Sequence, residues 1–251
     1  MADSLVYVYA VTDAATQELP AVTGVDDTSV RQVVSGGLAA VVSSVDPTRF
    51  SEEALRRSLE DLQWLESTAR AHHGVVAAVA QSGPVAPVRL ATVYLDDDNV
   101  RALLDDNGPA FAAALDRIRG RTEWGVKIFA APTPGGAESP AVDDTRPGTS
   151  YLLRRRAERD RAARGLQDAV AAAEAVHGDL AAVAVASRRY TPQDPRLSGH
   201  REEMVLNAAY LVDEAGAAAL HRLVEDRDEP TLRLELTGPW APYSFATLEE
   251  Q

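Results

Sequence analysis

The side chains that most often do chemistry in enzymes and metal sites are few in this chain and poorly spaced for it. The sequence has five histidines and no cysteine, which removes thiolate metal clusters and thiol nucleophiles. His72 and His73 are adjacent, and neighbouring side chains on a helix diverge by about 100°, so the pair is not expected to share a metal ion. Cationic or polar side chains are favoured at helix C-termini. We therefore predict that His72, His73 and His177 cap helix ends rather than bind a metal.

The acidic triplet Asp96–Asp98 has the composition of a cation site but not the spacing of one. No calcium-loop pattern with a distal glutamate follows it, so we predict that it caps the start of a helix. Phosphate-binding glycine loops, nucleophile elbows and zinc-protease motifs do not occur in the sequence. The sequence thus predicts no catalytic residues, no metal, no cofactor and no enzymatic activity.

The densest aromatic segment is the run LTGPWAPYSF at residues 236–245. Trp240, Tyr243 and Phe245 fall within six positions of a chain that is only 6% aromatic. The two prolines of the run lack a backbone N–H and fix φ, so the run is predicted to be extended and to be neither a helix nor a central strand. Its rings then either cover an apolar groove of their own domain or contact a partner.

Basic residues concentrate in one predicted helix, which carries Arg154, Arg155, Arg156, Arg159, Arg161 and Arg164. Several of these arginines stand four residues from an Asp or Glu, the spacing of ion pairs on a solvated helix face. Docking to an acidic partner is the alternative. On that hypothesis Arg154 and Arg155 join Trp240, Tyr243 and Phe245 as candidate partner-binding residues.

Composition limits the class of protein. A chain of 251 residues with 45% apolar content fills one or two cores, and a formal net charge of −13 disfavours binding to phosphate backbones or anionic membranes. The same charge disfavours self-association, so we expect a monomer. The start of the chain has no basic and apolar leader pattern, and no stretch of about 18 apolar residues occurs, which predicts a cytoplasmic protein.

Apolar periodicity predicts an α+β fold of two ferredoxin-like antiparallel sheet domains, with a long helix in the second. Gly36-Gly37 is predicted to form the tight turn of a hairpin. In the pair Trp124-Gly125, the Trp124 ring is expected to fill the end of the core, and Gly125 is expected to allow another backbone segment to approach closely. The predicted strands are 5–11, 30–35, 38–44, 75–80, 85–95, 123–130, 180–188, 204–212 and 231–236. The predicted helices are 51–73, 96–118 with a break at 108–109, 151–176 and 213–224.

The predicted elements fall into two domains with distinct boundaries. A first domain covers 1–131, a Pro/Gly-rich linker 132–148, a second domain 149–236, and an aromatic tail 237–251. The second half lacks one leading strand of the ferredoxin-like order. Strand 5–11 is surplus to the first domain, and we expect it to supply the missing strand by pairing across domains.

Several stretches, in their order along the chain, resemble the gas vesicle protein F and L family. They are LVYVYAV at 5–11, GLAAVVS at 37–43, EWGVK at 123–127, GTSYL at 148–152, LNAAYLV at 206–212 and TGPWAPYSF at 237–245. One departure is Arg89-Leu90-Ala91-Thr92, where the family tends to read Arg-Phe-Gly-Thr. The resemblance implies two ferredoxin-like domains, no catalytic residues, and a role in vesicle assembly through contact with the small hydrophobic shell protein.

Two functional hypotheses follow from these observations. The first is an assembly accessory protein, associated with gas vesicles in the cytoplasm, that binds the main shell protein and other accessory proteins. Such shell subunits expose apolar surface before they polymerise, and an acidic escort would keep them in solution. The second is an RNA-binding pair of RRM-like domains, which share this order of strands and helices, although the acidic charge opposes it.

Overall fold

The structure is a computed structural model that describes residues 4–14, 19–131, 147–193 and 202–246. Two compact units divide the chain. One consists of Met1–Glu123 together with Pro239–Gln251, and the other is Trp124–Gly238. The linker predicted at 132–148 lies almost entirely outside the described residues.

The first unit is built on a five-stranded antiparallel sheet in which β1 is the central strand. Its strands are β1 (Leu5–Asp13), β2 (Val30–Ser35), β3 (Leu38–Val45), β4 (Val85–Pro87) and β5 (Val93–Tyr94). The order is β2-β3-β1-β4, and β5 also pairs with β1. Eight of the nine β1 residues are buried because the strand is paired on both sides. The predicted hairpin is confirmed, with Gly36 and Gly37 at φ of 57° and 85° between β2 and β3.

The helices of the first unit differ from the prediction in one region. They are α1 (Pro47–Phe50), α2 (Glu52–Ser58), α3 (Leu62–Ala80), α4 (Asp97–Asp106), α5 (Gly108–Ile118) and the short C-terminal α8 (Tyr243–Ala246). The single helix predicted at 51–73 is wrong, because α2 ends at Ser58 and Asp61 caps the start of a separate helix, α3. The strand predicted at 75–80 is also wrong. Val75, Val76 and Val79 lie on the buried face of α3, so the helix continues past Gly74.

The second unit carries a four-stranded sheet of order β7-β8-β6-β9. Its elements are β6 (Thr122–Ala130), α6 (Pro147–Val183), β7 (Ala186–Arg189), β8 (Met204–Val212), α7 (Glu214–Glu225) and β9 (Leu232–Trp240). The two sheets share one strand order: in each, the strand that comes first in the sequence lies between the third and the fourth, and the second lies at the edge beside the third. The predicted α+β fold with two antiparallel sheets is confirmed. The expected pairing of strand 5–11 across domains is wrong, because β1 pairs within the first sheet and β6 supplies the leading strand of the second.

The long helix α6 extends further than its periodicity predicted. Residues 180–183, assigned to a strand from the sequence, are helical, because Leu180 continues the buried stripe of Ala169, Ala173 and Val176. Although α6 has 37 residues, neither it nor any other helix in the described part of the chain combines the length and apolarity that a bilayer crossing requires.

Candidate functional site

The C-terminal aromatic run belongs to the first unit and lies against its core. Phe245 is buried with 8% of its surface exposed, and Tyr243 is half-buried against the apolar cluster of that unit. Helix α8, which contains both rings, lies against α5 and β4. The run is extended only as far as Trp240, at the end of the edge strand β9, and then forms a helical turn. The prediction of an extended run throughout is therefore wrong after Trp240, since Pro242 precedes the turn and fits a helix start.

One carboxylate fixes this tail. The backbone N–H of Ser244 donates to Glu123 Oε2 at 2.8 Å, and the Ser244 hydroxyl donates to Glu123 Oε1 at 2.5 Å. A carboxylate that accepts from the N–H groups of a first helical turn is a strong cap, because it meets both the unpaired donors and the positive end of the helix. The same negative charge, after burial, raises the pKa of the Tyr243 hydroxyl. Two stretches far apart in sequence, EWGVK and TGPWAPYSF, are thus joined by these bonds.

Trp240 is the one candidate ring of the run that presents a large exposed face. It is 45% exposed, and its ring meets His73 edge-on with centroids 5.6 Å apart. Tyr243 stacks on the same imidazole at 6.1 Å. His73 therefore holds the exposed indole beside the tail, and the helix-capping role predicted for it is wrong because α3 continues to Ala80.

A groove of about 300 Å³ opens beside this aromatic group. It is lined by Ala69, His72, His73, Val88, Arg89, Leu90 and Tyr243, which come from α3, the turn after β4, and α8. Most of the lining is apolar, and Arg89 is its one residue with a fixed charge. The turn on its far side contains Ala91, whose φ is 62°. This is a left-handed conformation that glycine adopts without strain.

His72 lies at the base of the groove and is tied to the central strand. The Tyr7 hydroxyl is 3.0 Å from His72 Nδ1 and accepts the backbone N–H of Ala91 at 3.1 Å. Burial, and then the charge of His73, lower the pKa of His72 to about 4 against the opposing effect of the Val88 backbone. The imidazole is therefore neutral at pH 7, and the predicted capping role of His72 is wrong.

The Tyr7 hydroxyl, which accepts from Ala91, also shares one hydrogen bond with His72 Nδ1, and which of the two atoms donates depends on the imidazole tautomer. A neutral imidazole that accepts at Nδ1 carries its proton on Nε2. His72 is only 4% exposed, and the Val88 backbone is a hydrogen-bonding partner of its imidazole, which opposes the fall in its pKa.

The second unit repeats the tyrosine–histidine pair. His177 Nδ1 on α6 lies 2.7 Å from the Tyr210 hydroxyl on β8. Burial and the charge of Arg189 lower the pKa of His177, while Glu174 opposes the shift. The capping role predicted for His177 is wrong as well, because α6 continues to Val183. No signal in the sequence indicated either pair.

The remaining predicted residues have structural roles or lie on the surface. Trp124 is 9% exposed and packs on His221, and a Cβ on Gly125 would lie 2.7 Å from Thr237 Oγ1, so both predictions for this pair are confirmed. Asp96 accepts the N–H of Asn99 at 2.8 Å, which confirms the helix cap. Residues 155–164 of α6 are exposed all round, including Arg155, whereas the side chain of Arg154 lies outside the described part.

Metal chemistry finds no support in the part of the chain that the structure describes. No group of three or more His, Cys, Asp or Glu side chains there is arranged to hold a metal ion. His200 lies outside the described residues. The apolar groove in the first unit is a candidate binding site.

Comparison with known proteins gives a consistent family. The family model described as gas vesicle synthesis protein GvpL/GvpF matches residues 5–247. Gas vesicle protein L of Streptomyces sp. (strain CB03234) is 44% identical over 99% of this chain and 95% of its own length. Gas vesicle protein L2 of Halobacterium salinarum is 33% identical over 96% of this chain and 90% of its own. The crystal structure of gas vesicle protein GvpF from Anabaena sp. PCC7120 has a similar fold, with a TM-score of 0.66, 20% identity and 98% coverage of both chains.

Proposed function

Because the chain belongs to the gas vesicle synthesis protein GvpL/GvpF family, we propose that it is an assembly accessory protein that binds the hydrophobic main shell protein. Family membership supports a gas vesicle-related role for this chain. Binding of the shell protein, and support of vesicle nucleation or formation, are the finer parts of the proposal. Other accessory proteins of the vesicle are further proposed partners.

The observation that carries the proposal is the exposed indole of Trp240 beside an apolar groove. Large exposed aromatic rings next to apolar concavities are typical of protein-binding sites, where such rings contribute much of the binding energy. Tyr243 and Phe245 hold the tail in place, so Trp240 is the ring of the run best placed to contact a partner. Arg155, exposed on α6, is a second proposed contact, for acidic surface on a partner.

The acidic character of the chain fits an escort for apolar subunits. A net charge of −13 keeps copies of the complex apart, while the apolar face of the client is covered. We expect the free protein to be monomeric in the cytoplasm and to associate with vesicles during their formation. Sedimentation at moderate salt measures this directly, and a stable dimer would contradict it.

No contact or surface in the described part of the chain specifically favours the RNA-binding alternative. RRM-type domains stack bases on exposed sheet aromatics. Four of the strand aromatics, Tyr7, Tyr9, Phe129 and Tyr210, are fully buried here. Binding of single-stranded RNA at low salt would reverse this judgement.

The experiment that tests the proposal measures capture of the main shell protein by purified chain. Trp240→Ala should lower the affinity at least tenfold, since an aromatic hot spot in an interface is worth about 2 kcal/mol or more and about 1.4 kcal/mol is tenfold. Tyr190→Ala is the matched control, because Tyr190 is a similarly exposed aromatic at 41% in the second unit. Wild-type protein that captures no shell protein would refute the proposed function. An equal loss in both variants would refute the role of Trp240.

A further inference from the structure

We propose that helix α6 binds an acidic amphipathic helix of a second protein along a stripe that is separate from the shell-protein site at Trp240. The stripe consists of Arg156, Arg159, Ala163, Leu166 and Val170. This inference rests on the part of the proposed function that makes other accessory proteins partners of the chain. It names the surface that such a partner contacts and the chemistry that the partner needs.

The five residues of the stripe share one side of α6. They are spaced alternately three and four residues apart, which is the spacing of the seam along which two helices pack in a coiled coil. Arg156, Arg159 and Ala163 are exposed. Leu166 is half-buried, and Val170 is 41% exposed. The stripe that packs into the core of the second unit is a different one and consists of Ala169, Ala173, Val176 and Leu180.

The N-terminal half of the stripe lies in a basic segment. Residues 155–164 contain five arginines and two carboxylates, in a chain whose net charge is −13. Asp160 stands four residues from Arg156 and from Arg164, but among the described side chains it forms an ion pair with neither. Arg164 Nε instead donates to the backbone carbonyl of Asp160 at 3.1 Å. These arginines are therefore not neutralised by the carboxylate that the sequence places beside them.

This part of α6 extends beyond the stripe that buries the rest of the helix. Every residue from 155 to 164 is exposed, so the segment has no buried face. Short helical segments are marginal in water, and a helix that is polar on all sides depends on ion pairs along it or on contact with another body. Because the ion pairs of Asp160 are not formed, contact with another helix is the source of stability that remains.

The order of residues along the stripe selects this partner. At one end Val170 offers an apolar contact, and the small side chain of Ala163 lets a second helix approach closely. At the other end Arg156 and Arg159 present guanidinium groups that pair well with carboxylates. A helix with apolar residues along half of its seam and Asp or Glu along the other half matches both ends. The acidic remainder of the chain repels a long polyanion such as RNA.

Binding of synthetic peptides to the full-length chain tests the stripe. One peptide is an amphipathic helix of about three heptads, with leucine along half of its seam and glutamate along the other half. The control peptide has glutamine in place of each glutamate. In isothermal titration calorimetry the acidic peptide should bind at least tenfold more tightly than the control. Its affinity should fall as the salt concentration rises, because salt screens exposed charges.

Two double variants of the full chain locate the contact on α6. Arg156→Glu with Arg159→Glu should weaken binding of the acidic peptide at least tenfold, because each reversal replaces an attraction by a repulsion. Arg56→Glu with Arg57→Glu is the matched control, since both side chains are 75% exposed on α2 and the net charge changes equally. The control should stay within about threefold of wild type. Thermal midpoints of both double variants are measured alongside.

The apolar end of the stripe has its own variant. Val170→Ser leaves every charge in place and should weaken binding of the acidic peptide at least threefold, because it removes the exposed apolar contact. An affinity equal to that of wild type would overturn the seam and leave only a charge contact.

The outcomes separate this inference from the binding of the shell protein. Absence of binding, equal binding of the two peptides, or an equal loss in the two double variants overturns the stripe. Single-stranded RNA that displaces the acidic peptide overturns the choice of a protein partner. The variant reversed at Arg156 and Arg159 should capture the main shell protein as wild type does, and a loss of capture overturns the separation of the two sites. Wild type that binds the acidic peptide but captures no shell protein refutes the shell-protein proposal and supports the stripe.

Discussion

Replacement of Glu123 by alanine should release the C-terminal turn without unfolding the first unit. The Glu123 carboxylate accepts two hydrogen bonds from Ser244, at 2.8 Å from its N–H and at 2.5 Å from its hydroxyl. Hydrogen bonds to a charged group are worth about 1.5 to 3 kcal/mol each, and this site is only partly buried, so we take about 2 kcal/mol for the pair. Local opening of the turn should then become about 30-fold more frequent.

Amide hydrogen exchange of Tyr243–Ala246 measures this opening residue by residue. Glu66→Ala is the control, because Glu66 lies in the same unit and forms only an exposed ion pair with Arg70, 2.6 Å long. Such exposed ion pairs contribute little to the free energy of unfolding. Exchange at the turn that changes by less than threefold in Glu123→Ala, or by the same factor in both variants, would show that the carboxylate does not hold the tail.

Three further predictions concern the stability of the first unit. Ala91→Gly should stabilise it by about 1 kcal/mol in thermal denaturation, because residue 91 has φ of 62°, and a loss of stability would contradict the left-handed turn. The pKa of His72 is about 4 in the folded chain against 6.5 for the free side chain, so the unfolded chain binds the proton more tightly and stability falls as pH drops from 6.5 towards 4. In urea titrations His72→Asn should remove about 2 kcal/mol of the stability difference between pH 7.5 and pH 5, and an unchanged pH profile would refute the assignment. Gly24→Ala should cost about 2 kcal/mol, since its Cβ would lie 2.2 Å from the Tyr9 hydroxyl, whereas Gly74→Ala on the open face of α3 should stabilise by about 0.5 to 1 kcal/mol; equal effects in chemical denaturation would contradict this packing.

Elements with strong local signals were predictable from the sequence. The hairpin at Gly36-Gly37 follows from turn chemistry, and β8 at Met204–Val212 agrees with its predicted bounds because it is an apolar run interrupted only by Asn207. Errors arose where a local helix-stop signal was overridden by packing. Gly74 and Gly178 do not end their helices, since in each case the apolar residues that follow lie on a buried helix face.

Only part of the candidate site can be predicted from the sequence. The aromatic run singles out Trp240, but nothing in the sequence singles out Glu123. The pairing of Tyr7 with His72 spans 65 residues, and that of Glu123 with Ser244 spans 121. Such contacts are set by the order of the strands, which local sequence patterns do not determine, so the groove could not be predicted.

The composition of the first unit has a consequence for synthesis on the ribosome. Because this unit combines Met1–Glu123 with Pro239–Gln251, all of the second unit is translated before the last piece of the first becomes available. Phe245 and the Glu123–Ser244 bonds are therefore missing from every nascent chain until the second unit has been made. A chain that stops before residue 239 lacks the apolar cover that Phe245 gives the first unit, and we expect chaperones and proteases to recognise it.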